Sequence, residues 1–281
     1  MICLGFFSEN NKYSVLMTVY NKADKDSFKE AVESILNQSI VPEQIVISED
    51  GLLTNELEEC IYKFQKEYPT VFTIVRNEKK GNYNAANNGL KVCRNEFVAR
   101  MDSDDIAKTD RCEKELKVLI NNKCDIVGSF CSEFTGSYEN IISIRKVPLK
   151  HEEIVRYAKK RNPFNHPTIM FRKSMALKCG AYSNMIRCED YDFVVKMILS
   201  GAKCLNIPES LLYYRLSDDT FLRRKNWNNT KGFIYVRYKN FKRGFTPLKD
   251  LIFLSALQII LYLMPISVTK FFYQSILRKK D

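Results

Sequence analysis

Three carboxylates fall within four residues in Met101-Asp102-Ser103-Asp104-Asp105, directly behind the run Glu96-Phe97-Val98-Ala99-Arg100. A short strand-like run that stops at clustered Asp puts those carboxylates on the loop at a strand's carboxyl end, where open α/β sheets bind ligands. Negative charges this close repel one another unless a cation offsets them. A hard divalent ion carrying a diphosphate would do so, because Mg²⁺ takes one or two protein carboxylates and completes its shell with phosphate oxygens. The same residues also read as an acidic turn before a helix that starts near Thr109-Asp110-Arg111.

Three further clusters stand at predicted strand ends. Thr18-Val19-Tyr20-Asn21-Lys22 closes the first strand; Tyr20 there could stack on a nucleobase or belong to the core or rim. Glu49-Asp50-Gly51 closes the second and offers an acceptor to a base imide or a ribose hydroxyl, or is a turn. Gly81-Asn82-Tyr83-Asn84-Ala85-Ala86-Asn87-Asn88-Gly89 follows the third and is neither G-x-G-x-x-G nor a phosphate loop, which excludes those two nucleotide-binding patterns. Taken together, the four clusters converge on one sheet edge as a nucleotide-and-metal site built from loops.

The elements that position them alternate. Strands are predicted at Tyr13–Tyr20, Gln44–Ser48, Val71–Val75 and before Asp102, with helices from Asp26, over Thr54–Tyr68 and over Tyr83–Cys93. Such alternation predicts a doubly wound, mostly parallel α/β sheet with right-handed crossovers. Beyond Asp105, Lys108–Asn122 reads as helical, Asp125–Ser132 as extended, and His166–Phe171 as a short strand with Pro167 at its start or edge. Glu189–Ser200 reads as a helix stopped by Gly201, Leu211–Arg215 as extended, and everything from Trp227 as helical.

The ordered set resembles family 2 glycosyltransferases with the GT-A fold over about 13–224. It comprises Ser14 to Lys22, Ser48-Glu49-Asp50-Gly51, Gly81 to Gly89, Met101 to Asp105, Arg161 to Pro167, and Cys188-Glu189-Asp190-Tyr191-Asp192-Phe193. It is similar to the bacterial exopolysaccharide and O-antigen enzymes, amylovoran-type transferases among them. The resemblance implies a Rossmann-like domain over 1–224, with a nucleotide-binding half over about 13–105 and an acceptor half over about 106–224. It implies an inverting hexosyl- or N-acetylhexosaminyltransferase that uses a nucleotide-sugar donor, UDP-linked, with Mn²⁺ or Mg²⁺. Thr18, Tyr20, Glu49, Asp50, Asn87, Asp102 and Asp104 would then bind nucleotide, and Asp102, Asp104 and Asp105 the metal. Asp190 would be the base that deprotonates the acceptor hydroxyl. Glu189 would serve the acceptor or diphosphate side, although Glu189-Asp190 at a helix start also reads as first-turn acids that complement the helix dipole. Arg223 and Arg224 read equally as a diphosphate contact or as a solvated basic face, and His166 as structural or acceptor-side rather than a metal ligand. Two positions depart from the family: Glu49 where many members have Asp, and Ala86 where many carry Arg. Lys79, Lys80 or Arg100 are the candidates to make that diphosphate contact.

Nine cysteines, scattered and without C-x-x-C, with only two histidines, predict free thiols in a reducing cytosol rather than a zinc site. The start lacks a basic segment of the secretory type, so the site is expected to face the cytoplasm. Charge is uneven: fourteen Lys/Arg against four Asp give Arg215–Asp281 a net +10 of the chain's +11. Within that basic helical tail, over 225–281, the run Leu251–Thr269 is uncharged for 19 residues. This only reaches the lower end of a transmembrane span. With Gln258, Pro265 and basic flanks it reads rather as a membrane-proximal extension lying on an anionic surface on the inner face of the cell membrane. Packing on the catalytic domain or on a homodimer partner is the alternative. Peripheral attachment suits an oligosaccharide acceptor on a polyprenyl diphosphate. Nucleic acid is not an expected partner, because the acidic cluster would repel it; a catalytically silent scaffold is the other rival.

Overall fold

The computed structural model describes residues 12–185, 187–216 and 226–264. Nine strands form one mixed sheet. Its first half is doubly wound: β1 (Tyr13–Val19), α1 (Lys25–Leu36), β2 (Gln44–Glu49), α2 (Asn55–Glu67), β3 (Phe72–Val75), α3 (Asn82–Val92) and β4 (Phe97–Asp102). These strands lie in the order β3-β2-β1-β4 and are all parallel. Asp24 and Thr54 cap α1 and α2 by accepting from the N–H groups of Ser27 and Leu57, which fixes where each helix leaves its strand. Strand order reverses at β1, so the crevice at a topological switch point opens over the carboxyl ends of β1 and β4.

After β4 come β5 (Ile106–Ala107), α4 (Arg111–Asn121), β6 (Ile126–Phe134), β7 (Ile141–Arg145), α5 (His151–Ala158), β8 (Met170–Arg172), α6 (Lys173–Lys178), α7 (Glu189–Leu199) and β9 (Cys204–Arg215). The sheet continues β4-β8-β6-β9-β5, with β7 on β6. The segment at His166 corrects the sequence reading: His166–Thr168 is a 3-10 turn, and the strand begins at Met170. Pro167 takes the first turn, where its missing N–H does no harm, and Thr168 N–H closes the turn onto Asn165 O at 2.9 Å.

Alternate strand residues bury on opposite faces. Val15, Met17, Ile45 and Ile47 meet Phe28, Val32, Leu57 and Leu116 on one side. Leu16, Val46 and Val98 meet Ala86, Leu90, Phe193 and Met197 on the other. Beyond residue 226, α8 (Trp227–Lys242) and α9 (Leu248–Leu263) form a pair. Val236 and Phe245 share a small core with Tyr191, Val195 and Ala158, so α8 packs onto α7. Gly232 permits this approach, since a Cβ there would lie 2.7 Å from Arg187 Cβ. Helix α9 buries no residue, and Phe253 and Leu263 are 66% and 73% exposed. No described helix is long and apolar enough to cross a membrane; positions 265–269 of the uncharged run lie outside the described residues.

Candidate active site

Register aligns the strand ends. Thr18 pairs with Ser48 on one side and Asp102 on the other, and Val19 pairs with Glu49. The loop after β3 is fastened to this edge. Asp50 Oδ1 accepts from the N–H groups of Lys80 (3.2 Å) and Gly81 (2.9 Å). Asn77 Nδ2 donates to Ser48 Oγ (3.0 Å) and Glu49 O (2.8 Å). Gly51 and Gly81 hold φ of 85° and 99°, a region open to glycine. A Cβ on Gly51 would also stand 2.8 Å from Lys79 Cβ. Tyr20 is exposed at the rim. Glu49 is buried; burial raises its carboxyl above the ordinary range against the pull of Arg76 at 3.8 Å.

Arg100 organises the acidic loop from inside the sheet, at 1% exposure. Its Nη2 donates to Thr18 Oγ1 (2.8 Å) and pairs with Asp102 Oδ1 (2.9 Å), and its Nη1 donates to Leu16 O and Met101 O. Behind it the buried pair Arg111–Glu115 (3.0 Å) holds the strand end, Arg111 donating to Arg100 O at 2.7 Å. Asp105 is turned inward. Its Oδ1 accepts from Arg215 N–H at 2.9 Å, and its buried Oδ2 has no hydrogen bond. Burial first, then the charges of Asp104 and Asp102, push its carboxyl well above the ordinary carboxylate range.

Among the described residues no three His, Cys, Asp or Glu side chains form a metal cage. Of the three expected metal carboxylates, Asp105 is held by β9, which leaves half-buried Asp102 and exposed Asp104 the more open to solvent. One or two carboxylates beside a repelled, half-satisfied third still fit a hard cation that draws its other ligands from a diphosphate and water.

Across the crevice, Cys188 takes a left-handed conformation (φ 66°, ψ 24°) just before Glu189 and Asp190 open α7. A strained non-glycine at such a place is typical of functional turns. Asp190 Oδ2 accepts from Asn162 Nδ2 at 2.9 Å. Burial and then the Glu189 charge raise the Asp190 carboxyl, while His166 lowers it; the net direction is upward. A more basic carboxylate is a better proton acceptor. His166 Nε2 lies 3.0 Å from Tyr182 Oη. Burial first, and then Arg100, hold its imidazole below the usual range, with Asp190 and Asp102 opposing. His166 thus stands within electrostatic reach of both the acidic loop and Asp190.

The Asn87 amide donates to Tyr182 O (2.7 Å) and accepts from Tyr182 N–H (2.9 Å), which braces the segment at Tyr182. Arg223 and Arg224 lie outside the described residues. Sequence reasoning gave no role to Asn77, Asn82 or Arg215. For Arg100, which it had only as a diphosphate candidate, the signal was present: a charge inside an otherwise apolar strand run.

A sequence model of glycosyl transferase family 2 matches residues 14–180. The chain belongs to that family and has a mixed α/β GT-A-like fold. It is 32% identical, over 95% of its length and 97% of the relative's, to the UDP-Gal:alpha-D-GlcNAc-diphosphoundecaprenol beta-1,3-galactosyltransferase of Escherichia coli. It is 29% identical, over 93% and 98%, to the amylovoran biosynthesis glycosyltransferase AmsE of Erwinia amylovora. Among solved structures it is similar to the mannosyltransferase PcManGT from Pyrobaculum calidifontis in complex with GDP-Man and Mn²⁺. That match has a TM-score of 0.65 at 15% identity, over 90% of this chain and 70% of the other.

Proposed function

We propose that this chain transfers a hexose or N-acetylhexosamine from a UDP-sugar, with inversion, to a hydroxyl of a polyprenyl-diphosphate-linked oligosaccharide. The observation that carries the reading is the alignment of Thr18, Glu49 and Asp102 at neighbouring strand ends, with Asp190 beside Glu189, which is bonded through Asn82 to Thr18 at that edge. Tyr20 and Asp50 would hold the base, and Asp102 and Asp104 would hold a divalent ion. That ion, when bound, would neutralise charge on the departing diphosphate. Asp190 takes the acceptor hydroxyl's proton as its oxygen bonds to the anomeric carbon. The bond from that carbon to the nucleoside diphosphate breaks on the opposite face, which inverts the centre. A base in this position contributes about 10²–10⁴-fold.

The lipid-linked acceptor and membrane attachment rest on the diphosphoundecaprenol acceptor of the Escherichia coli relative and on α9, whose exposed Ile252, Phe253, Ile260 and Leu263 suit an apolar interface beside a +10 tail. Attachment would be peripheral, on the cytoplasmic face of the cell membrane.

The test is a thermal-shift panel of UDP, GDP, CDP and dTDP, each with Mn²⁺ or EDTA, on wild type and Asp104→Ala. Stabilisation by UDP that needs both Mn²⁺ and Asp104 is expected. No stabilisation of folded wild type by any of the four would overturn the reading. Co-sedimentation with anionic vesicles tests the attachment, and equal binding by the Phe253→Gln/Ile260→Gln variant would remove α9 from it.

A further inference from the structure

Between the acidic loop and the turn that carries Asp190 runs an unbroken chain of hydrogen bonds. Arg100 Nη2 touches Asp102 Oδ1 at 2.9 Å and donates to Thr18 Oγ1 at 2.8 Å. The Thr18 hydroxyl donates to Asn82 Oδ1 at 2.7 Å, and Asn82 Nδ2 donates to Glu189 Oε1 at 3.1 Å. The direction of every link is fixed. Arg has only donors and Glu189, when ionised, only acceptors, so the Thr18 proton must point to Asn82 and the amide must turn its NH₂ to Glu189.

Both ends of this chain need the middle. The α7 start has no side-chain cap of its own and follows the strained Cys188, so the bond from Asn82 is a tie on that first turn. Asn82 is in turn fixed by the nucleotide edge twice, through Thr18 and through the Asp50 bond to Gly81 N–H.

We propose that Asn82 is a positioning residue that transmits occupancy of the donor edge to the turn bearing Asp190. Ligation at Asp102 and Thr18 is felt by one guanidinium and one hydroxyl, and Asn82 is the group that joins that pair to Glu189. The inference rests on the functional reading given above, and the experiment separates the two.

Hydrogen–deuterium exchange of the full chain is followed with and without UDP and Mn²⁺. In wild type, ligand is expected to slow exchange both in the peptide covering 102–105 and in the one covering 187–195. In Asn82→Leu, which removes both bonds at similar volume, only the first should slow. Equal protection of 187–195 in both proteins overturns the inference. No protection of 102–105 in wild type overturns the functional reading and takes this inference with it.

Kinetics supply the second arm. Asn82→Asp can still accept from Thr18 but sets a carboxylate against Glu189. It should lower kcat about 10–100-fold with the donor KM within about 3-fold, the pattern of a lost transition-state arrangement rather than lost binding. Adding Glu189→Gln restores a donor–acceptor pair with its direction reversed and should recover about tenfold. If the two substitutions instead multiply independently, Asn82 does not act through Glu189.

Discussion

Replacing Asp192 by Asn isolates the bond between the tail and the helix that carries Asp190. The Asp192 side chain is fully buried; its Oδ1 lies 2.7 Å from Arg243 Nη1 and 3.5 Å from Lys239 Nζ, and its Oδ2 lies 3.9 Å from Lys196 Nζ. Asn keeps the volume, so no cavity opens and the loss is electrostatic. Removing one partner of a buried ion pair costs about 3–5 kcal/mol. The three cations keep 13%, 24% and 25% of their side-chain exposure, so water can reach them once the partner is gone. That places the expected loss near the lower end, about 3 kcal/mol. For a chain of this size it corresponds to a fall in Tm of about 6 °C. The pH dependence follows from the direction of the shift. Burial alone would raise the carboxyl, but the bond from Arg243 and the surrounding charges outweigh it and hold the group below its ordinary 3.8. A depressed acid contributes its stability above the unfolded value and loses it as pH falls through the folded one. The gap between wild type and Asp192→Asn should therefore be full at pH 7 and begin to narrow as pH falls below about 4. Thermal melts by circular dichroism from pH 3 to 7 measure both quantities. A shift under about 2 °C at pH 7, or a gap that does not narrow at all between pH 7 and pH 3, would refute the assignment of Asp192 as the anion that binds α8 to α7.

Gly89→Ala should destabilise by about 1–3 kcal/mol in urea unfolding, because overpacking forces neighbours apart: the new Cβ would stand 2.4 Å from Leu16 Cδ1 and 3.1 Å from Ser48 Cβ. Asp190→Asn keeps the Asn162 contact site in shape and should lower kcat about 10²–10⁴-fold while leaving the UDP–Mn²⁺ melting shift intact. Asp104→Ala should abolish the Mn²⁺-dependent part of that shift and move the free protein's Tm by no more than about 2 °C, since Asp104 is exposed.

The doubly wound half could be read from the sequence because its signals are local. Gln44–Glu49 and Asn55–Glu67 differ from their predicted bounds by only a residue, and the Asp24 and Thr54 caps explain where the helices start. The acceptor half was harder, since its elements are short and defined by partners. Ile106–Ala107 is a strand only because Leu212 and Tyr213 pair with it, and the Cys204–Ile207 stretch of β9 is extended because β6 lies alongside. Side-chain direction was the other limit. Nothing in Met101 to Asp105 indicated that Asp105 would turn towards Arg215 while Asp102 and Asp104 faced out, and nothing in Gly81 to Gly89 separated Asn82, which joins the two sides, from Asn87, which braces Tyr182.

The bond between Asp105 and Arg215 spans 110 residues of chain, and this bears on synthesis. Chains emerge from the ribosome at about 5–20 residues per second, and domains fold from the N-terminal side first. The four parallel strands that frame the crevice are complete once Asp102 has emerged. The loop they lead into stays open for some seconds more, until β9 arrives to pair with β5 and to satisfy Asp105. During that interval the chain carries three repelling carboxylates on an unsecured loop. A truncated form ending before Cys204 should lack both the partner of β5 and the Arg215 N–H that Asp105 accepts from, so β9, late in the chain, sets when the acidic loop is secured.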